Sequence, residues 1–276
     1  MTLKQKCTFL INSCDAYSDV WEFFFKALRV QWPDCEFPLA LSTETKKFSD
    51  PGVRVLNFDS PCWAARFKNA LKNIETPYVL HGLEDFVLKE KISGGEIISN
   101  VIKWLDENPD IGVFYLHKHS SVLQTPTEIP GFGLLPRKAD YKLSTQFGIW
   151  RKEYLDKCIK GIESAWEWEG FGSIRAGRFK EKEYALLDNQ PEIFEIPLGG
   201  VIRRGLWHTE AKALAEKYNV EIDFSKRGFM NENDPYRRKN AYHVGKNFPR
   251  DIFKRIFWRE FCERIRAEFR KIRLKI

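Results

Sequence analysis

Two neighbouring carboxylates that follow an apolar run are the first residues with the potential for chemistry. Glu84 and Asp85 come directly after residues 78–83, which have the composition of a buried strand. Acids at such a position cost free energy unless they bind something, and a divalent cation with a diphosphate is a natural partner. The side chains of adjacent strand residues point to opposite faces of the sheet, so the two acids cannot easily coordinate the same ion. We predict Asp85 as the metal ligand, with Glu84 acting through water or holding a ribose or a backbone turn. A helix cap or a surface acid is the alternative for Asp85.

A second motif, Trp166-Glu167-Trp168-Glu169, combines indole rings with acids. Indole faces suit the apolar faces of sugar rings, and a carboxylate can accept the proton of a hydroxyl. If the segment is extended, both acids share a face; if it is helical, they point about 200° apart and only one can serve. We predict Glu169 as the base, with Glu167 and Glu163 as alternatives, and Trp166 and Trp168 as stacking rings. Core tryptophans beside exposed acids are the competing interpretation.

Strands and helices alternate along the first half of the chain. Apolar runs predict strands at 6–13, 37–43, 53–58, 78–83 and 112–116, and helical spacing predicts helices at 15–32, 61–73 and 94–107. Later segments predict strands at 146–150 and 193–197, a helix at 209–217 and a long functional loop at 117–145. The alternation predicts an α/β fold, a mainly parallel sheet flanked by helices. Ligands of such sheets bind beyond the carboxyl ends of the strands, where residues 13–19 and 84–85 lie.

The composition is that of a globular protein: 43% of the 276 residues are hydrophobic and 30% are charged. No apolar run approaches the roughly 20 residues that span a bilayer, and the first six residues lack the apolar core of a signal peptide. We therefore expect a cytoplasmic protein. The six cysteines are scattered without a C-x-x-C pair, which predicts reduced thiols. The pair His117 and His119 is a weak metal signal by itself.

Residues 250–276 hold nearly all of the excess positive charge. Ten Lys or Arg and four acids give this segment +6 of the chain's +7, so the first 249 residues are near neutral. Its apolar residues recur mostly every four positions, at Phe253, Phe257, Phe261, Ile265, Phe269 and Ile272. We predict a body at 1–245 and a basic amphipathic helix at 246–276. An anionic membrane surface and packing on the body, a partner or a second copy are its open alternatives. Nucleic acid is disfavoured because the body is not basic and has no recognition motif.

Four segments together resemble a known family. They are the first strand and helix, beginning FLINSCDAYSDV, then ALKNIETPYVLHGLEDFVL at 70–88, QFGIWRKEYL at 146–155 and ESAWEWEGFGSIRA at 163–176. Over most of residues 6–230 the chain resembles bacterial glycosyltransferases with the GT-A fold, more narrowly those of capsule and lipopolysaccharide assembly. The resemblance implies a GT-A-like, Rossmann-like sheet. It also implies transfer of a sugar from a nucleotide-sugar donor to a hydroxyl of a glycan or a lipid-linked glycan.

The resemblance implies roles for individual residues. Asp15 and Tyr17, at the end of the first strand, would hold the nucleotide base. The acids at 84–85 would hold Mn²⁺ or Mg²⁺ on the diphosphate. Here the chain departs from the family, because the positions of the usual Asp-x-Asp read Gly82-Leu83-Glu84-Asp85.

Further residues are candidates to support the charge of the leaving diphosphate. They are His208 as an added metal ligand, and Arg66, Arg203 and Arg204 as partners of the phosphates. A lone exposed histidine and surface or ion-paired arginines are the alternatives. The basic helix would hold such an enzyme on the inner face of the plasma membrane, near a lipid-linked acceptor. Two other classes stay open. A sugar nucleotidyltransferase would want a Gly-rich loop after the first strand, where this chain reads Ser-Cys-Asp-Ala-Tyr, and a non-catalytic membrane-associated scaffold would need no site at all.

Overall fold

The computed structural model describes residues 2–60, 62–93, 95–119 and 122–231. The predicted basic helix at 246–276, the predicted boundary between 245 and 246 and the predicted helix starts at 61 and 94 lie outside the described residues. Within the described ranges, no helix is both long and apolar enough to cross a membrane.

Within the described residues, nine strands form the central sheet. In chain order they are β1 (Cys7–Asn12), β2 (Leu39–Thr43), β3 (Val53–Asn57), β4 (Tyr78–Gly82), β5 (Ile111–Lys118), β6 (Thr125–Pro126), β7 (Phe132–Leu134), β8 (Gly148–Arg151) and β9 (Lys182–Leu186). Their order across the sheet is β3-β2-β1-β4-β8-β5-β9-β7-β6. β1 to β5 and β9 run in one direction, and β8 lies antiparallel between β4 and β5. The carboxyl ends of the parallel strands therefore meet at one side of the sheet, the carboxyl edge.

Helices cover both faces of this sheet. They are α1 (Leu3–Lys6), α2 (Ser18–Gln31), α3 (Trp63–Lys72), α4 (Gly95–Glu107), α5 (Lys152–Cys158), α6 (Ala165–Glu167), α7 (Ser173–Ala176) and α8 (Ala211–Lys217), with a π-helical turn at Trp168–Gly172 and 3-10 turns at Asp15–Tyr17 and Phe224–Lys226. Successive residues of a strand face opposite sides. Phe9 and Ile11 accordingly pack into the core under α2 and α4, and Leu10 into the core under α3 and α5. Burial on both faces explains why the parallel strands read as continuous apolar runs.

The predicted fold class is confirmed: the chain is α/β, with a mainly parallel sheet between helices. The predicted strand at 193–197 is wrong, because that stretch is irregular between two prolines although Ile193 and Phe194 are buried. The sequence pattern also missed β9, where Lys182 and Glu183 break the apolar run. The short hairpin of β10 (Ile202–Arg203) and β11 (Leu206–Trp207) completes the described strands.

The segment that holds the Trp-Glu-Trp-Glu motif is helical from Ala165 to Ala176, through α6, the π-helical turn and α7. The helical alternative therefore applies, and Glu167 and Glu169 point in different directions. The π-helical turn widens the backbone at Glu169. Such turns occur frequently at functional sites.

Candidate functional site

The carboxyl ends of β1 and β4 bring two of the predicted groups together. Glu84 is only 6% exposed, and the Ser13 hydroxyl forms a hydrogen bond with its carboxyl group. Burial raises the pKa of Glu84 well above its usual value, and the neighbouring charge of Asp85 raises it further. Burial also raises the pKa of Tyr17, with the charges of Glu84 and Asp85 adding to the effect. The tyrosine after β1 thus lies within electrostatic reach of both acids after β4.

Asp85 is a half-buried residue whose carboxyl oxygen Oδ1 is buried. Its Oδ1 has no hydrogen-bond partner among the described residues, and burial raises its pKa to about 7. A loop packs directly on it: the Val201 N–H donates to the Asp85 carbonyl at 2.7 Å. Gly200 has φ +85°, and a Cβ there would lie 2.7 Å from Asp85 Oδ2. Only glycine allows this close approach.

His208 is tied to the same loop, since its N–H donates to the Val201 carbonyl at 2.8 Å. The backbones of the two predicted metal ligands, Asp85 and His208, are therefore both hydrogen-bonded to one residue. The His208 ring accepts a hydrogen bond on Nδ1 from the Glu210 N–H at 3.2 Å. The structure thus gives this ring a local partner on its own loop.

A divalent cation fits the acids at 84–85 by the nature of their donor atoms. Among the described residues, no group of three or more His, Cys, Asp or Glu side chains is placed to hold a metal ion. Mg²⁺, however, is commonly held by one or two carboxylates together with the phosphates of a substrate. The unpartnered Oδ1 of Asp85 and the adjacent Glu84 carboxyl provide that kind of set. Asp85 and Glu84 are the residues that would hold such an ion.

Asp15, the acid after β1, is in the opposite situation. Its carboxylate accepts hydrogen bonds from the hydroxyl and N–H of Thr45, the hydroxyl of Thr43 and the N–H of Lys46, at 2.7–3.2 Å. Burial acts to raise its pKa, but the bonds from Thr45, Lys46 and Thr43 outweigh burial and hold the pKa below its usual value. Asp15 therefore fixes the chain that follows β2. Its predicted contact with the nucleotide base stays a prediction.

Arg227 joins this site, although the sequence pattern did not single it out. Its guanidinium lies 4.7 Å from the ring centroid of Tyr17 and donates two hydrogen bonds to the Asp19 carboxylate, at 2.6 and 2.8 Å. It also donates to the Ala16 carbonyl. Its positive charge opposes the pKa rise of both Tyr17 and Glu84. Asp19 and Arg227 are 208 residues apart, so no local pattern could have found this cation.

The three arginines predicted to meet the diphosphate lie in different surroundings. Arg66 is buried, pairs with Glu44 at 2.9 Å and donates to the Ser60 carbonyl at 2.6 Å. It thereby ties together the ends of β2 and β3. Arg203 is partly exposed in β10, and Arg204 is exposed in the β10–β11 turn with φ +55°. These two are the ones accessible to a ligand.

A polar cavity of about 240 Å³ opens at the end of β5. Its lining residues come from β5, the chain before β8 and the π-helical turn: His117, Lys118, His119, Tyr141, Leu143, Ser144, Gln146 and Glu169. It lies at the same carboxyl edge as Glu84, because β4 and β5 run in the same direction. The structure thus brings the predicted base, Glu169, into a cavity together with both histidines of the H-x-H motif.

Glu169 is held in this cavity by one of its two carboxyl oxygens. Oε1 accepts hydrogen bonds from the N–H and the hydroxyl of Thr145, both at 2.8 Å. Burial raises the pKa of Glu169, and the two bonds from Thr145 only partly offset it. A carboxylate with a raised pKa is a stronger proton acceptor near neutral pH.

The other members of the motif are placed differently. Glu167 forms a capping box with Ser164, in which its carboxylate accepts from the Ser164 N–H at 2.8 Å. Trp168 is fully buried, 5.6 Å from Trp63 and 5.8 Å from Trp150 between ring centroids. Trp166 is 78% exposed, so it is the indole with a face accessible to a sugar.

Glu163, the remaining candidate base, is buried and bound at both carboxyl oxygens by Arg175, at 2.5 and 2.6 Å. Burial raises its pKa, and the bonds and charge of Arg175 act against that rise. The pair anchors α7 to the chain before α6. Glu169 is the candidate base that reaches a cavity.

The chain matches no family model and no curated protein. It is similar to several solved structures at low identity. TarS of S. aureus (residues 1–349) is 16% identical over 67% of this chain and 58% of that chain, with a TM-score of 0.43. The bifunctional IspDF of Campylobacter jejuni is 13% identical over 69% and 51%, with a TM-score of 0.39. The 2-C-methyl-D-erythritol 4-phosphate cytidylyltransferase of Thermus thermophilus is 13% identical over 77% and 96%, with a TM-score of 0.43. The chain therefore spans little more than half of the first two, and likenesses at this level say nothing about activity.

Proposed function

We propose that the protein is a glycosyltransferase that moves a sugar from a nucleotide-sugar donor to a hydroxyl of a glycan or lipid-linked glycan. One observation supports this above all others. Two adjacent acids, the buried Glu84 and the half-buried Asp85, follow a central parallel strand near Tyr17, and the buried Oδ1 of Asp85 has no hydrogen-bond partner among the described residues. A fold tolerates such a costly pair where a ligand supplies the missing partner.

In this proposal the donor occupies the carboxyl edge between β1 and β4. Tyr17 and the chain around it contact the nucleoside, and Asp85 with Glu84 would hold a divalent cation against the diphosphate. Such a cation would neutralise charge that develops on the leaving group. Arg227 adds a fixed positive charge beside Tyr17. The exposed Arg203 and Arg204 of the nearby hairpin are further partners for phosphate oxygens.

The acceptor hydroxyl requires a proton acceptor if the transfer inverts the sugar's configuration, and we assign that role to Glu169. Its carboxyl group lines the polar cavity and has a raised pKa. Thr145 fixes one carboxyl oxygen through two hydrogen bonds. The other oxygen takes the proton from the hydroxyl as the new glycosidic bond forms.

Donor binding and transfer test the proposal directly. We expect UDP-, GDP-, CMP- or dTDP-sugars, with and without Mn²⁺, to raise the melting temperature of the full chain for at least one nucleotide. Release of the nucleoside diphosphate, or of CMP from a CMP-sugar, in the presence of an acceptor then measures turnover. Glu169→Gln should lower kcat by about 100-fold while leaving the donor-induced melting shift unchanged. Asp34→Asn, at an exposed acid away from both groups, is the matched control.

Other outcomes would identify a different protein. Formation of a nucleotide sugar and pyrophosphate from a nucleoside triphosphate and a sugar phosphate would make it a nucleotidyltransferase. A folded protein that no nucleotide sugar stabilises would favour a non-catalytic scaffold.

We also propose that residues 250–276 hold the enzyme on an anionic membrane surface. Their sequence alone supports this, through +6 net charge beside a stripe of phenylalanine and isoleucine. Sedimentation with vesicles that contain phosphatidylserine is the test. The full chain should bind and a chain ending at 249 should not; equal binding of the two would refute the proposal.

A further inference from the structure

The cavity at the end of β5 is polar and has a defined pattern of donors and acceptors. Within it, the ring of His117 lies with Nδ1 3.3 Å from the Phe147 carbonyl oxygen. A carbonyl oxygen can only accept a hydrogen bond, so Nδ1 carries the proton. Nε2 of His117 is therefore left with a lone pair. The backbone immediately before β8 thus fixes one tautomer of this imidazole.

Both histidines of the cavity are uncharged at neutral pH. The pKa of His117 is lowered to about 3, first by burial and then by the neighbouring His119, while the bond to Phe147 opposes the shift. Burial likewise lowers the pKa of His119. The ring centroids of the two lie 5.6 Å apart, so two positive charges would repel each other. His117 Nε2 is consequently an acceptor and not a donor under physiological conditions.

The charged groups of the cavity balance each other. Lys118 contributes an ammonium group, which also lies 3.8 Å from Glu192, and Glu169 contributes a carboxyl group. The remaining polar lining is neutral and can both donate and accept hydrogen bonds, through Ser144, Gln146 and the imidazoles. The lining therefore has no cluster of like charges that would favour a charged ligand. At about 240 Å³, the space is below the roughly 300–1,000 Å³ of sites for drug-sized ligands, which suits a single ring.

We infer that this cavity binds an uncharged sugar ring or polyol, and that His117 selects it by accepting a hydrogen bond from a ligand hydroxyl. Glu169 lines the same cavity, so the bound ring would be the acceptor of the transfer. That last step rests on the proposed function, whereas the binding itself does not. The inference makes His117 a specificity-determining residue and Glu169 the base.

Binding in the absence of any donor tests the inference on the unmodified full chain. Saturation-transfer NMR with methyl glucopyranoside and methyl galactopyranoside should detect at least one neutral ring, and methyl glucuronide and glucosamine should bind more weakly. Equal or stronger binding of the anionic or the cationic ring would overturn the inference. So would the absence of any signal both from the neutral rings and from the acyclic polyol ribitol.

Two substitutions of His117 distinguish the roles of its two ring nitrogens. Asn retains a donor near the Nδ1 position for the Phe147 carbonyl and removes the acceptor at Nε2, whereas Gln places a polar group near Nε2. His117→Asn should lower the affinity for the neutral ring about two- to tenfold, which is the range expected for one net hydrogen bond. His117→Gln should lower this affinity less. The control is Glu36→Gln, in a second cavity of about 240 Å³ lined by Trp32 and Phe37. Identical affinities in His117→Asn and the wild type would contradict the role of Nε2.

The transfer assay distinguishes failure of the inference from failure of the proposed function. In His117→Asn, the KM of the acceptor should rise by the same factor, with the KM of the donor unchanged. If the protein binds neutral rings but has no transfer activity, the assignment of the cavity is supported and the proposed function is wrong. Transfer activity with an acceptor KM that His117→Asn leaves unchanged would retain the function and overturn the inference.

Discussion

The ends of β1 and β4 carry acids that look alike in the sequence and are treated in opposite ways by the fold. Asp15 accepts hydrogen bonds from Thr43, Thr45 and Lys46, and its pKa lies below the usual value. Asp85 has an unpartnered Oδ1 among the described residues and a pKa raised to about 7. The fold alone supplies hydrogen bonds to both oxygens of Asp15, whereas it leaves Oδ1 of Asp85 without a partner among the described residues.

This difference separates structural from functional acids on physical grounds. A carboxylate with several donors stabilises the chain that supplies them, and evolution can keep it for that reason alone. A buried carboxyl group without partners destabilises the fold, so its retention calls for a ligand that compensates the cost. Asp85, with its unpartnered Oδ1, meets the second description, and Asp15 meets the first. The four predictions below test that distinction.

Replacing Asp85 should have the largest effect on activity. We expect Asp85→Asn to lower kcat by about 100- to 1,000-fold, because a preorganised group that stabilises charge on the leaving diphosphate is worth that much. The side-chain volume is nearly unchanged, so the variant should stay folded. Initial rates of nucleoside diphosphate release measure the effect, with circular dichroism as the check on folding. Full activity in this variant would end the case for a functional acid at the end of β4.

Replacing Asp15 should instead reduce stability. Asp15→Asn loses charge-assisted acceptors for Thr43, Thr45 and Lys46, and we expect the free energy of unfolding at pH 7 to fall by about 2 kcal/mol, a value that allows for partial solvent exposure. The pKa of Asp15 is lowered in the fold from 3.8, so its contribution is full above that value and is lost as the pH falls through the folded pKa.

Urea unfolding at pH 7 and at pH 3 measures the predicted loss. The difference between wild type and Asp15→Asn should be largest at pH 7 and should narrow at pH 3. A difference that grows at low pH would show that another group carries the effect. If Asp15 also contacts the nucleotide base, the KM of the donor will rise as well, which a loss of stability alone would not cause.

The fold class could be predicted from the sequence because its signal is repeated along the chain. Apolar runs with helical segments between them recur from residue 6 to residue 116, and burial on both faces makes each parallel strand apolar throughout. The sequence pattern did not predict β9 because Glu183 interrupts its run of apolar residues. That acid is buried in the structure, with Tyr154 and Lys142 as partners from distant parts of the chain. A local pattern cannot anticipate such partners.

The site was predictable as a set of residue types but not as an arrangement. Glu169 and Asp85 stand out because acids beside apolar or aromatic residues are costly. Their ranking against Asp15 and Glu163 depends on hydrogen bonds from Thr45 and Arg175, which only the fold brings into contact. The capping box that occupies Glu167, by contrast, is a local pattern of Ser164 and Glu167 that the sequence already contains. His117 gave a weak signal, the H-x-H spacing. Gly200 and Arg227 meet the site through loops far along the chain, so no spacing pointed to them.

A divalent cation should bind at one of the two strand ends and not at the other. At a concentration ten times its dissociation constant, Mn²⁺ should raise the free energy of unfolding of the wild type by about 1.4 kcal/mol. This corresponds to a rise of about 3–6 °C in melting temperature. Asp85→Asn should remove this shift, and Asp15→Asn should retain it relative to its own melting temperature. The same shift in Asp85→Asn would mean that the ion binds elsewhere.

Replacing Arg227, the cation beside the Tyr17 ring, should have the smallest effect. Arg227→Lys keeps the charge near the Tyr17 ring but loses the pair of hydrogen bonds to the Asp19 carboxylate. We therefore expect the free energy of unfolding to fall by about 0.5–1 kcal/mol and the KM of the donor to stay unchanged. Arg227→Met removes the charge as well, and the donor KM should rise about three- to tenfold, as expected for one lost charge-assisted contact. Urea unfolding and donor titrations on both variants measure the two effects separately. If lysine and methionine raise the donor KM equally, the guanidinium acts through its bond to Asp19, and the end of β1 is a structural region throughout.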